Sequence, residues 1–205
     1  YDRCLNEMTE SFKKQSSEIT NIEKIKKQLQ FMVDKDQFMR SFFSLPHTSG
    51  YNEKETKLFN KAFLNRFKEL DRENTQSLKK ILEREKWIRI SKFGKKADHN
   101  AWLIVQHADL DPEFQKEVLK TLDKMRKENE TNSQNFAYLF DRVASLQGKS
   151  DKRGLQRFGT QGRCVGPGLW KAFPVESPQK LDQLRESLGL EPMTVYKKRF
   201  KDICH

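Results

Sequence analysis

The chain has little of what would make it disulfide-dense, membrane-spanning or fibrous. Only three of its 205 residues are cysteine. Cys4, Cys164 and Cys204 lie far apart, with no C-x-x-C and no His at finger-like spacing, so the sequence predicts neither a disulfide framework nor a structural zinc site. No run of about 18 uncharged apolar residues exists, which excludes a helix that spans a membrane. A basic start followed by a short apolar run and a small-residue cleavage site is also missing. Residue 1 is Tyr rather than Met, so the chain reads as trimmed, and the lost piece could have held a targeting segment. Absence of disulfide spacing points to the cytoplasm. The phosphate-cradling G-x-x-x-x-G-K-[ST], the dinucleotide G-x-G-x-x-G, H-E-x-x-H and G-x-S-x-G are all absent. His47, His99, His107 and His205 share no metal-ligand spacing, so a metal site would have to be assembled from distant residues such as His107, Asp36 and Asp141. Nothing in the sequence names a cofactor, a reaction or an oligomeric state.

What is present is charge and helical periodicity. The formal net charge of +11 favours an anionic partner, such as nucleic acid, a phosphate group or an acidic protein surface. Its lysines are spread among Glu and Asp along nearly every helical stretch, which describes a solvated helical surface better than a nucleic-acid footprint.

From residue 18 to 43, Ile22, Ile25, Leu29, Met32, Met39 and Phe43 fall three and four apart with one step missing, a helix with a single buried stripe. The missing step is Asp36. Residues 45–50, with Pro46 and Gly50, end this helix. A second helix over about 52–86 carries Phe59, Phe63, Phe67, Leu70, Leu78 and Ile81, with polar Asn74 on the same face and a possible break partway. Residues 87–96 read as a connection in which Gly94 makes the turn before the next helix. Residues 97–108 are apolar all round at Ala101, Trp102, Leu103, Ile104 and Val105, which places that helix centrally, with Gln106 and His107 sharing its burial.

Asp111, Pro112 and Glu113 open a helix to about Lys127 by capping, proline at its first position and a dipole-favoured acid. Another helix over 134–147 carries Tyr138, Asp141 and Arg142 within an apolar run, and Gly148 stops it. Residues 149–155 read as a mobile basic loop. From Gln156 to Val175 the helical period vanishes and Gly159, Gly162, Gly166, Gly168, Pro167 and Pro174 appear, an irregular segment or short β-hairpin. A short helix opens at Ser177 and Pro178, with Gly189 as its cap, and Pro192 begins the last helix. The predicted fold is therefore all-α, a single multi-helix domain with a small irregular or β-hairpin element near its C-terminal third. Residues 1–50 form an N-terminal helical arm and 51–205 the main body.

Burying an unpaired ion or amide costs several kcal/mol, so each polar residue on an apolar face needs a partner. Two readings compete. In one, Asp36 pairs with Arg40 four residues on, Asp141 and Arg142 bridge to other helices, and the polar interior is only structural. In the other the intruders converge on a pocket. His107 would there act as general acid or base with Asp36 or Asp141 orienting it. Arg142 would hold a carboxylate or phosphate. Gln106, Gln37, Arg40, Asn74, Tyr138, Gln156, Thr160 and Gln161 would line the rest.

The run Trp102-Leu103-Ile104-Val105-Gln106-His107-Ala108-Asp109 continuing to Phe114-Gln115, then Ala137-Tyr138-Leu139-Phe140-Asp141-Arg142-Val143, then Gln156-Arg157-Phe158-Gly159-Thr160-Gln161, resembles a bacterial family that carries only a domain-of-unknown-function label. Asp36-Gln37 with Arg40, Asp71 with Asn74, Trp87, and downstream Arg185, Gly189-Leu190 and Tyr196 are similar to its other signatures, so the likeness covers about residues 30 to 197. It implies a helical domain in which these elements recur together, and it brings no reaction. Lys86 stands where that family usually has Gly, Ile88 where it has Pro, and Phe158 where it has Tyr, which removes a hydroxyl and with it any catalytic role at 158. Two functions follow: an enzyme or small-molecule binder for a small anionic or polar ligand with a polar pocket centred on His107, or a basic binding module for an acidic protein or nucleic acid.

Overall fold

The apolar stripes become buried helix faces in the computed structural model, which describes residues 2–15, 21–42, 50–146 and 154–204. The expected helix end at 45–49, the stop at Gly148 and most of the basic loop lie outside the described residues. The chain divides into two compact units, Tyr1–Leu110 and Asp111–His205. The described part is mostly helical, with one two-stranded antiparallel hairpin.

The first unit holds α1 (Asp2–Gln15), α2 (Asn21–Ser41), α3 (Glu53–Glu85), the single turn α4 (Ile90–Phe93) and α5 (Lys95–Gln106). α2 buries Ile25, Leu29, Met32, Val33 and Met39, with Asp36 in line among them. α3 is one uninterrupted helix rather than a broken one, since residues 53–85 contain neither Gly nor Pro to interrupt it. It starts in a reciprocal cap: the Glu55 N–H donates to the Asn52 side chain and the Asn52 N–H to the Glu55 carboxylate. Leu5, Met39, Phe63 and Leu70 form a core cluster beside α1. α5 packs on α2, α3 and α4, and each of its fully buried large apolar side chains contributes roughly 1.5–3 kcal/mol relative to exposure.

The stretch after α3 is not the plain connection its polarity suggests. Trp87 and Ile88 are fully buried, α4 lies within it, and the Trp87 indole N–H donates to Asp98 Oδ1 at 2.9 Å. Lys86, which ends α3, holds φ +61° and ψ −50°, a backbone that suits glycine. A side chain there stores roughly 1–2 kcal/mol of strain, and glycine's extra chain entropy offsets roughly 0.5–1 of any relief. Lys86→Gly is therefore expected to stabilise the protein by about 1 kcal/mol and raise its thermal midpoint by a few degrees. A lowered midpoint would show that the position is unstrained.

The second unit holds α6 (Pro112–Lys127) and α7 (Ser133–Leu146), packed on each other, then β1 (Gly162–Gly166), β2 (Leu169–Ala172), α8 (Leu181–Glu186) and α9 (Met193–Lys198). Asp111 caps α6 by accepting the Phe114 N–H at 3.2 Å. Phe158 is buried edge-on between Phe136 and Phe140 of α7, an apolar role that needs no hydroxyl.

The expectation of no disulfide is corrected here: Cys164 of β1 is bonded to Cys204, with Cα atoms 5.3 Å apart across 40 residues of sequence. Cys4 is a free thiol. A pairing that long leaves no spacing signature, and only the hairpin's docking beside the C-terminal turn brings the two sulfurs together. The argument for a cytoplasmic location loses its premise with it. Among the described residues no helix is long and apolar enough to cross a membrane.

Candidate functional site

In the first unit the missing step in α2's stripe is the centre of a charged cluster. Asp36 is 1% exposed, and both of its carboxylate oxygens lie 3.0 Å from Nδ1 of His107. His107 is placed by the end of α5, where it forms the C-cap and its N–H donates to the Leu103 and Ile104 carbonyls. Its side chain keeps 16% of its surface. From α2 itself, Arg40 Nε donates to Asp36 Oδ1 at 3.0 Å and the Gln37 amide to Oδ2 at 2.7 Å. Arg40 reaches on to Asp71 of α3 at 3.4 Å while its guanidinium lies over the Phe67 ring at 4.7 Å.

Burial works against the ionised Asp36. The His107 hydrogen bond and charge, the Arg40 charge and the Gln37 amide outweigh it and hold the carboxyl below its ordinary value of 3.8. The ionised carboxylate accepts from Nδ1–H, so the neutral imidazole carries its lone pair on Nε2. Asn74, also buried, donates from Nδ2 to the Met32 carbonyl at 3.2 Å and ties α3 to α2. Gln106 is buried one residue before the histidine. A groove of about 480 Å³ opens elsewhere in this unit, lined by α1 and α2 residues that include Glu7, Phe12, Lys27, Phe31 and Asp34 and none of the candidates.

The remaining candidates belong to the second unit and serve one segment. Asp141, fully buried on α7, accepts the backbone N–H groups of Arg157, Phe158 and Thr160 at 2.8, 3.0 and 2.8 Å. Burial pushes its carboxyl up, opposed by those amides. The Gln156 side chain closes the same loop: Nε2 donates to the Gln161 and Phe173 carbonyls and Oε1 accepts the Gln161 N–H. Arg142 donates to Gln161 Oε1 at 3.2 Å, and Gln161 Nε2 to Thr160 Oγ1 at 3.1 Å. Asp141 and Arg142 thus both bond to the irregular segment that follows α7. Tyr138 meets Tyr196 edge-on, and the Tyr196 hydroxyl donates to the Thr160 carbonyl at 3.0 Å.

Residue patterns alone do not find three members of these clusters. Asp71 sits among the charges of α3 and is marked only by the family resemblance. Asp98 looks like an ordinary helix-start acid until Trp87 is found bonded to it. Arg185 is fully buried in a helix too short to show a period; it donates to the Glu191 and Phe158 carbonyls at 2.7 and 2.6 Å and lies over Tyr196. Among the described residues no three His, Cys, Asp or Glu side chains are grouped as a metal ion would need.

The chain belongs to a family of unknown function, DUF6624, whose model matches residues 23–204. That span begins near the start of α2, includes every residue of both clusters and leaves α1 outside. No curated protein and no solved structure matches the chain.

Proposed function

We propose that the first unit carries an acid–base site, in which Nε2 of His107 moves a proton to or from a small polar or anionic substrate. The carrying observation is the pairing of a nearly inaccessible carboxylate, through both oxygens, with Nδ1 of a partly exposed histidine. A helix lock would need only two opposite charges. Here Asp36 takes an imidazole, a guanidinium and an amide, and the imidazole, which can both take up and release a proton, keeps a partly exposed side chain.

Asp36 is a positioning residue: it fixes the tautomer and balances the imidazolium when a proton is taken up. Arg40, 27% exposed and braced by Asp36, Asp71 and Phe67, is the cation placed to receive an anionic group. Gln37 and Gln106 complete the polar surroundings. Asp141, with its carboxylate taken up by three amides, stands outside the reacting set. Gln156, Thr160, Gln161 and Arg142 shape the second unit's segment and contribute to ligand recognition there.

The test is a panel of ester, amide, phosphoester and glycoside substrates offered to the purified chain between pH 5 and 8, alongside His107→Ala. Turnover that the variant lacks supports the reading. Turnover that survives the variant removes it, as does a panel without turnover in which no substrate shifts the His107 ring resonances. The polar interior then serves only to lock α2, α3 and α5, and function returns to the basic surface.

A further inference from the structure

The hairpin of the second unit carries a like-charge pair that an anionic partner would relieve. Its register sets Arg163 directly across from Lys171, and both are exposed. Like charges directly opposite one another weaken an antiparallel pair. Two acids of the same unit are engaged with other cations: Glu176 pairs with Arg157, and Glu191 with Arg199.

The same face is apolar where it should be polar. Trp170 turns to the inner side, stacked on Phe200 at 4.6 Å, and Cys164, its partner across the ladder, is bonded to Cys204. Alternation along the strands then puts Arg163, Leu169 and Lys171 together on the outer side. Leu169 is 61% exposed, and Val165, the extra residue of the bulge, 51%. Ile203 is 62% exposed in the C-terminal turn, next to Cys204, which is fixed to the hairpin twice, by the disulfide and by the Gly168 N–H donating to its carbonyl at 2.7 Å. Three aliphatic side chains among cations, on a stapled hairpin that loses little freedom on binding, form a surface built to meet something both negative and oily.

We propose that this outer hairpin face docks on an anionic phospholipid surface, with Leu169, Val165 and Ile203 entering the headgroup boundary and Arg163 and Lys171 meeting lipid phosphates. Single-stranded nucleic acid fits less well, since it is gripped through aromatic stacking and the hairpin's aromatic ring is turned inward. A soluble acidic protein would satisfy the cations and leave the aliphatic tips without a reason. The two-part attraction is the one that interfacial anchors use.

The test is co-sedimentation of the full chain with vesicles of phosphatidylcholine alone or mixed equally with phosphatidylglycerol. Binding to the mixed vesicles and not to the neutral ones is expected. Replacing Arg163 and Lys171 together by Gln should weaken it by about fivefold per cation, and Leu169→Ser by about tenfold. All of these positions are exposed, so thermal midpoints should match the wild type; Ile203→Ser repeats the aliphatic test at a site outside the strands. Absence of binding to mixed vesicles at low salt overturns the proposal. So does binding that neither serine variant weakens, which would assign the cations to a soluble acidic partner instead.

Discussion

Asp36→Asn is expected to lower turnover of any substrate found for the first unit on the order of 10²–10⁴-fold, about as much as His107→Ala does. The two effects should not add. If Asp36 acts only through His107, the double variant will be no slower than the worse single one, whereas independent roles would multiply. The second readout, the ring tautomer, tests the Asp36–His107 pairing itself. Both Asp36 oxygens are held by Nδ1–H in the wild type, so ¹⁵N spectra of the neutral ring should place the proton on Nδ1 and, in Asp36→Asn, move it toward Nε2. A wild-type ring already protonated at Nε2 would dismiss the pairing.

The same substitution has a pH signature in stability. The folded-state pKa of Asp36 lies below its ordinary value, so the unfolded chain takes up its proton first on acidification. Its contribution is therefore complete above the unfolded pKa of 3.8 and is lost as pH falls through the lower folded value. Midpoints of wild type and Asp36→Asn should differ near neutrality and approach one another below pH 4. A gap that widened on acidification would contradict the assignment.

How much of this was legible in the sequence depended on whether a residue broke a pattern. Asp36 and Asn74 interrupt stripes of period 3.6 and are buried where those stripes place them. His107 follows the apolar run 101–105, which predicts that it shares that burial, whereas its side chain stays 16% exposed at the end of α5. Partners were another matter. An acid inside an apolar run says that donors are required, not which; for Asp141 they are backbone N–H groups, which carry no residue identity. Asp71 and Arg185 gave no pattern to break, one being half hidden among surface charges and the other lying in a six-residue helix. The disulfide escaped because a 40-residue separation is unconstrained by spacing, and its consequences for the hairpin escaped with it.

The largest stability effect should come from Asp141→Ala. Removing the carboxylate strands three backbone N–H groups in a place where water does not reach, and losing the charged partner of a buried network costs about 3–5 kcal/mol. Against a total of roughly 5–15 kcal/mol for a domain, that leaves the second unit marginal at physiological temperature. Asp141→Asn should fall between: its carbonyl can still receive the Arg157 and Phe158 amides that Oδ1 accepts, while its NH₂ meets the Thr160 N–H donor to donor. Urea unfolding ranks the three proteins, and hydrogen exchange locates the loss, with the amides of Arg157, Phe158 and Thr160 exposed before those of α7. A cost of under about 1 kcal/mol, typical of an ordinary exposed substitution, would mean that the segment holds its shape without Asp141. The expected order would instead make Asp141 the post around which residues 156–161 are wound, so that Asp141-Arg142 and Gly159-Thr160-Gln161 are one physical unit read from two ends.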